Sequence, residues 1–193
     1  GDVYKRQSYQ NVNPTCFIHA AETVEAGAEP NLIAREFFQS RSLPSLRLEQ
    51  LMLSRMMFFC GGAFVCSYLK DTDFEEQGAI RDDAEILIDI LRGIAGVRVA
   101  LILKENGKGE IRGSLRAKDE TDVAQIARDF GGGGHKAAAG LTYHKSLADA
   151  LIEVPTDVIE TCFPEDAEAE VERLCILILS LIHISEPTRL QLI

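Results

Sequence analysis

The chain is short of positive charge: 20 Lys and Arg stand against 30 Asp and Glu among 193 residues, leaving a formal net charge of −10. That balance excludes a broad surface for coating nucleic acid, because backbone binding depends on Lys and Arg neutralising many phosphates. Any nucleotide site must be local. The five cysteines, Cys16, Cys60, Cys66, Cys162 and Cys175, form no CxxC pair and no ladder of paired spacings, which argues against a disulfide framework or zinc centre. Reduced thiols in the cytoplasm are the expectation. Long apolar runs are missing too. The longest, Cys175 to Ile184, is too short to span a bilayer, and no signal-type segment precedes the first helical pattern. No membrane partner is expected. What is present is an ordinary apolar fraction of 46%, enough for a sizeable core.

Both ends read as foreign to the fold. Asp2-Val3-Tyr4-Lys5-Arg6-Gln7 and the stretch from Leu179 to Arg189 look like conceptual translations of a sequencing adaptor read on opposite strands. The C-terminal run sets aliphatics beside a lone His183 with no cap, turn or partner pattern, directly after an acidic tract. Residues 1–7 are therefore expected to be a scar, residues 164–193 an acidic tail ending in a scar, and the native gene to continue past both. A natural C-terminal amphipathic helix is the alternative.

Helical signals open the chain. Asn13 can cap, Pro14 suits a first turn, and Phe17, Ala20, Ala21 and Val24 recur at helical spacing before Gly27 ends the segment. Pro30 opens a second amphipathic helix, and Pro44 a third in which Leu48, Leu51, Met52 and Met56 face one way. The methionines and phenylalanines from Met52 to Phe59 read as core filler. After Gly61-Gly62 the texture becomes α/β. Ala63 to Leu69 reads as a strand, Ala84 to Leu91 as a helix, and Val97 to Lys104 as a strand joined to Glu110–Ala117 through the turn Asn106-Gly107-Lys108-Gly109.

Along Glu110–Ala117 the period of two puts Ile111, Gly113, Leu115 and Ala117 on a core face, and Arg112, Ser114 and Arg116 on a polar, basic one. Thr121 or Asp119 caps the next helix, where Val123, Ile126, Ala127 and Phe130 repeat and four glycines follow. Leu141–His144 returns to the sheet, and Ser146 caps a closing helix stopped by Pro155. The acidic excess from Asp157 to Glu172 reads as a solvated face or frayed tail.

Gly131-Gly132-Gly133-Gly134-His135 is the feature that demands chemistry. Four glycines cost entropy and supply no packing, so a folded chain keeps them where the backbone needs unusual dihedrals or a ligand comes close. Backbone amides in such a turn can converge on a phosphate, with His135 and Lys136 as added donors. A helix begun at His135–Ala139 would point its dipole at the same spot. No GK[ST] follows and no strand precedes, so Walker A and Rossmann readings fail. Asp71-Thr72-Asp73, the lone D-x-D, reads as a cap, and His19 and His144 as structural.

Gly131 to Gly140 resembles the GGGGHxxAAG signature of the DHH-associated domain of DHH-family phosphoesterases, and Ile111 to Arg116 resembles that domain's V-x-x-SLR strand. Ser8 to Val12 resembles the stretch after the last DHH-domain motif. Segment order is most similar to the bacterial nanoRNase/pAp phosphatase branch. The resemblance implies an α/β fold with a small mixed sheet flanked by helices: a DHH-domain remnant over 8–29, a helical connector over 30–60 and the nucleotide-binding domain over 61–163. It implies short RNA or a nucleotide as ligand, held by Ser114, Arg116, Gly132, Gly133, Gly134 and His135. It also implies two manganese ions on Asp and His ligands of a DHH domain in cis. No Asp-His-His triplet occurs here, so those ligands and all catalytic residues are expected to be absent and this chain inactive alone. A homodimer is a further partner that the resemblance allows. Cyclic-dinucleotide phosphodiesterases and single-strand exonucleases share the glycine motif. A nucleotide- or RNA-binding module without a catalytic partner is the alternative from another class.

Overall fold

The computed structural model describes residues 13–107 and 109–185, so the stretches 1–7 and Ser8 to Val12 singled out above, and 186–193, lie outside the described residues. The chain divides into two units at Arg41. In the first, α1 (Pro14–Glu25) starts as its sequence dictates, with Asn13 Oδ1 accepting the Cys16 N–H at 3.0 Å, and Gly27 closes it at φ 97°. Helix α2 (Pro30–Phe38) follows, again with proline in its first turn.

The second unit starts at Ser42, whose hydroxyl caps α3 (Leu43–Ser54). Its remaining elements are β1 (Met57–Phe59), β2 (Phe64–Leu69), α4 (Asp71–Gln77), α5 (Leu87–Gly93), β3 (Val99–Glu105), β4 (Ile111–Ala117), α6 (Val123–Asp129), β5 (Gly133–His135), β6 (Ala138–Tyr143), α7 (Leu147–Cys162) and α8 (Ala167–Ser185). Six strands form one mixed sheet in the order β1-β2-β3-β4-β6-β5, and only the β2–β3 pair is parallel. The α/β expectation with a small mixed sheet flanked by helices holds.

Two cores sandwich this sheet. On one face Leu101, Leu103, Leu115 and Leu141 meet Ile126 of α6, Val154 and Val158 of α7, and Leu174 and Ile178 of α8. On the other, Val65, Ala100 and Ile102 meet Leu48 and Met52 of α3, Phe74 of α4, and Leu87, Ile88 and Leu91 of α5. Strand β2 is buried along its whole length and β3 along all but its last residue, which is why both read as near-continuous apolar runs. Strand β4 departs from this. Its core-facing residues are buried, while Arg112 is exposed and Ser114 and Arg116 are half-buried. Helices α3, α4 and α5 thus cover the β2–β3 half of that face, and the β4–β6–β5 half stays open.

Several sequence expectations are corrected. The segment 30–60 is not helical throughout, because Met57–Phe59 pairs with β2 and both Met57 and Phe59 join the core. Met56 accordingly lies beyond the end of α3. Asp122, rather than Thr121 or Asp119, caps α6 by accepting from the Ala124 and Gln125 amides. Pro155 does not stop α7; it is a buried residue inside a helix that runs on to Cys162, and the packing of Val154, Val158 and Ile159 outweighs one lost amide bond. The C-terminal stretch has a partner pattern after all: Val171, Leu174, Ile178 and Leu181 recur at helical spacing and pack on the core.

Candidate functional site

Cross-strand pairing builds the open face from three rows. Residues directly opposite one another in a sheet point to the same side. Arg116 on β4 and His135 on β5 both pair with Ala138 on β6, giving the row Arg116, Ala138, His135. Two residues along, Ser114 and Gly133 both pair with Gly140. Two further along, Arg112 pairs with Lys104 on β3 and with Thr142 on β6. The polar face read from β4 alone is therefore the middle of a surface three or four strands wide.

The glycine run does two different jobs. Its first half ends α6: the Gly131 N–H donates to the Arg128 carbonyl at 3.0 Å and the Gly132 N–H to the Ala127 carbonyl at 2.7 Å, with Gly131 left-handed at φ 70°. That is a Schellman closure, and it corrects the expectation that these two amides converge on an anion, since the helix already uses them. The second half is strand β5, hairpinned onto β6. No helix begins at His135, so no helix dipole reaches this spot; Lys136 and Ala137 form the hairpin turn, with their carbonyls accepting from the Val123 and Ala117 amides. Lys136 is also not aimed at the face, because its Nζ lies 2.7 Å from Glu120 Oε2, whose carboxyl is held below its ordinary pKa by that ammonium.

Close approach explains two of the glycines. A Cβ on Gly132 would lie 2.1 Å from the Gly140 carbonyl oxygen, and one on Gly134 2.6 Å from that of Ala138. A Cβ on Gly133 would meet nothing within 4 Å, and one on Gly140 only a carbonyl at 3.7 Å. The fold does not require glycine at these last two positions, which stand together in the middle row.

A cleft of about 660 Å³ opens on this face, lined by Ser114, Gly132, Gly140 and Thr142 and continuing past Arg112 to Lys104 and Glu85. Of the residues singled out from sequence, Ser114 and Gly132 line it. Arg116, Gly133 and His135 share its face from the neighbouring rows, but they and Gly134 are not part of its wall. Arg116 has its Nε 3.8 Å from Asp89 on α5 and donates to the Leu115 carbonyl, so its guanidinium is steadied at the border between the covered and open halves. His135 is exposed at the sheet edge.

Sequence reading assigned nothing to Lys104 or Thr142 and gave Arg112 no role. The register itself shows them: the Asn106 N–H donates to the Glu110 carbonyl at 2.8 Å, closing β3 onto β4 so that Lys104 stands opposite Arg112. The D-x-D does serve locally. Asp71 and Asp73 occupy the first turn of α4, where Asp73 is buried and salt-bridged to Arg55 and Asp71 pairs with Arg81. Burial works against the Asp73 charge, but hydrogen bonds from Arg55 and the Lys70 amide hold its carboxyl below the usual range. Among the described residues no three His, Cys, Asp or Glu side chains gather as a metal centre, and no helix is long and apolar enough to cross a membrane.

A helix closed by a Schellman motif thus leads into an edge hairpin beside a basic strand, on the open half of a mixed sheet. The family model described as the DHHA1 domain matches residues 61–161, and the chain belongs to this DHH-associated family. It is 29% identical over 134 residues to the bifunctional oligoribonuclease and PAP phosphatase NrnA of Thermus thermophilus, an alignment covering 69% of this chain and 39% of that protein. Together these place it on the nanoRNase-like side of the DHH family. The fold is shared with an exopolyphosphatase-related protein from Bacteroides fragilis at a TM-score of 0.68 and 23% identity, covering 86% of this chain and 45% of that one. The chain thus spans less than half the length of these relatives.

Proposed function

We propose that this chain is the substrate-gripping part of a phosphoesterase that acts on short oligoribonucleotides and on 3′-phosphoadenosine 5′-phosphate. Arg116 and His135 take the terminal phosphate between them, and Ser114 donates its hydroxyl to the same ligand. Gly133 leaves room for the nucleotide to approach the backbone, while Gly132 and Gly134 hold the hairpin in its tight course. The observation that carries this reading is the Arg116–Ala138–His135 row, which puts a fork of guanidinium donors and an imidazole on one open face with only a methyl between them.

The described residues do not fit the manganese that the family resemblance implies, since no carboxylate and histidine set converges. On this reading the nucleophile belongs to a DHH domain in cis, and the residues described here bind and orient without cleaving.

Titrating 3′-phosphoadenosine 5′-phosphate into isotope-labelled chain tests the proposal. Amide and side-chain shifts should move at His135 and Arg116, and His135→Ala should abolish them. An unperturbed spectrum at millimolar ligand overturns the reading.

A further inference from the structure

Beyond the row that holds Arg116 and His135, the same face carries a second cationic row: Lys104, Arg112 and Thr142. Four residue steps along β4 separate the two, and at 3.3–3.4 Å per step that is about 13 Å, with the small Ser114–Gly140–Gly133 row halfway. Each half-step of about 7 Å is comparable to the reach from one phosphate to the next along an extended nucleotide strand. The cleft is walled by the second row together with Ser114 and Gly140 of the middle one.

The second row is built to exchange partners. Lys104 is 8% exposed, so most of its side chain is out of water where it enters the cleft wall, yet its carboxylate partner, Glu85 at 2.9 Å, has a side chain 70% exposed. An exposed carboxylate contributes little when water can replace it. A buried ammonium gains more from an anion that brings several acceptors. On Arg112 the cation itself is the accessible partner: its side chain is more than half exposed, against 26% for Glu110, its neighbour at 2.5 Å. Arg81 differs: it pairs with Asp71, donates to the Glu105 carbonyl and lies 4.1 Å over the Phe74 ring, which makes it a fixed wall of the cleft.

We infer that Lys104 and Arg112 form a second phosphate subsite, which takes the phosphate two internucleotide steps from the one gripped by Arg116 and His135. The face then measures ligand length. A mononucleotide fills one row, and a 5′-phosphorylated trinucleotide fills all three, its middle phosphate lying over Ser114 and Gly140. This inference rests on the nucleotide-gripping reading above.

Calorimetric titration of the full chain with adenosine 5′-monophosphate and with 5′-phosphorylated tri-adenylate separates the two. The trinucleotide should bind about tenfold more tightly, the scale of one charge-assisted hydrogen bond. Arg112→Gln should erase that increment and leave the mononucleotide affinity unchanged. Glu85→Gln, which frees the Lys104 ammonium, should raise trinucleotide affinity and steepen its salt dependence. Equal affinities for the two ligands, or an Arg112→Gln variant that weakens both alike, would overturn the second subsite while leaving the first. If neither ligand binds, both readings fail.

Discussion

Arg116 and His135 stand on different strands yet face the same residue, Ala138, from its two sides. Their separation is set by the sheet and not by side-chain flexibility, because the pairing register of β4, β6 and β5 fixes both Cα positions. The four-glycine run serves this register: it lets α6 turn back into an edge strand within a few residues.

Replacing Arg116 with Ala should weaken binding of 3′-phosphoadenosine 5′-phosphate by ten- to a hundredfold, roughly 1.5–3 kcal/mol for hydrogen bonds to a charged group. Arg116→Lys should recover only part of this, since a point ammonium cannot reproduce the planar fork. Isothermal titration calorimetry measures both, and an unchanged affinity in Arg116→Ala would remove this side chain from the site.

Two neighbouring glycines should behave in opposite ways. Gly132→Ala drives a methyl into the Gly140 carbonyl and should lower unfolding free energy by about 1–3 kcal/mol, as overpacking does. Gly133→Ala meets open space, so its melting temperature should stay near that of the parent while nucleotide binding drops. Paired denaturation and binding curves decide, and a Gly133→Ala variant that binds normally contradicts the role given to that position.

The Arg55–Asp73 pair sets an acid limit. The folded-state pKa of Asp73 lies below its ordinary value, so its contribution is fully present above the unfolded pKa of about 3.9. It is lost as pH falls through the lowered folded value. Asp73→Asn should cost roughly 3 kcal/mol at neutral pH by stranding Arg55, and it should flatten the fall in urea midpoint between mildly and strongly acidic solution. A variant with the parent's acid profile would show that other carboxylates set it.

Thiol reactivity should rank by burial. Desolvation pushes the Cys60 thiol up to about 12 and raises Cys66 further in the same direction, so neither holds appreciable thiolate at neutral pH. Maleimide should label the half-exposed Cys16 in the native protein and reach Cys60 and Cys66 only as the chain unfolds. Peptide mapping by mass spectrometry reads this directly, and native labelling of Cys66 would contradict its place in the core.

Where local chemistry suffices, or packing agrees with it, the sequence was legible. The alternation of β4, the cap at Asn13 and the proline starts of α1 and α2 all emerge as read. Where packing or chain reversal overrides the pattern, it was not. Nothing in Gly133-Gly134-His135 carries strand propensity, and only pairing with Ala138–Gly140 makes it a strand. Pro155 is held in α7 by neighbours distant in sequence from any stop signal. The second cationic row went unseen because it joins residues of three strands, and no single strand displays it.

The sheet wears a helical cover over β2 and β3 on the same side where β4, β6 and β5 are bare. A nucleotide lying along those bare strands would complete the layer that α3, α4 and α5 begin. Binding would then give a second layer to an edge hairpin that Ala139, Leu141 and Tyr143 already anchor to the core from its other side.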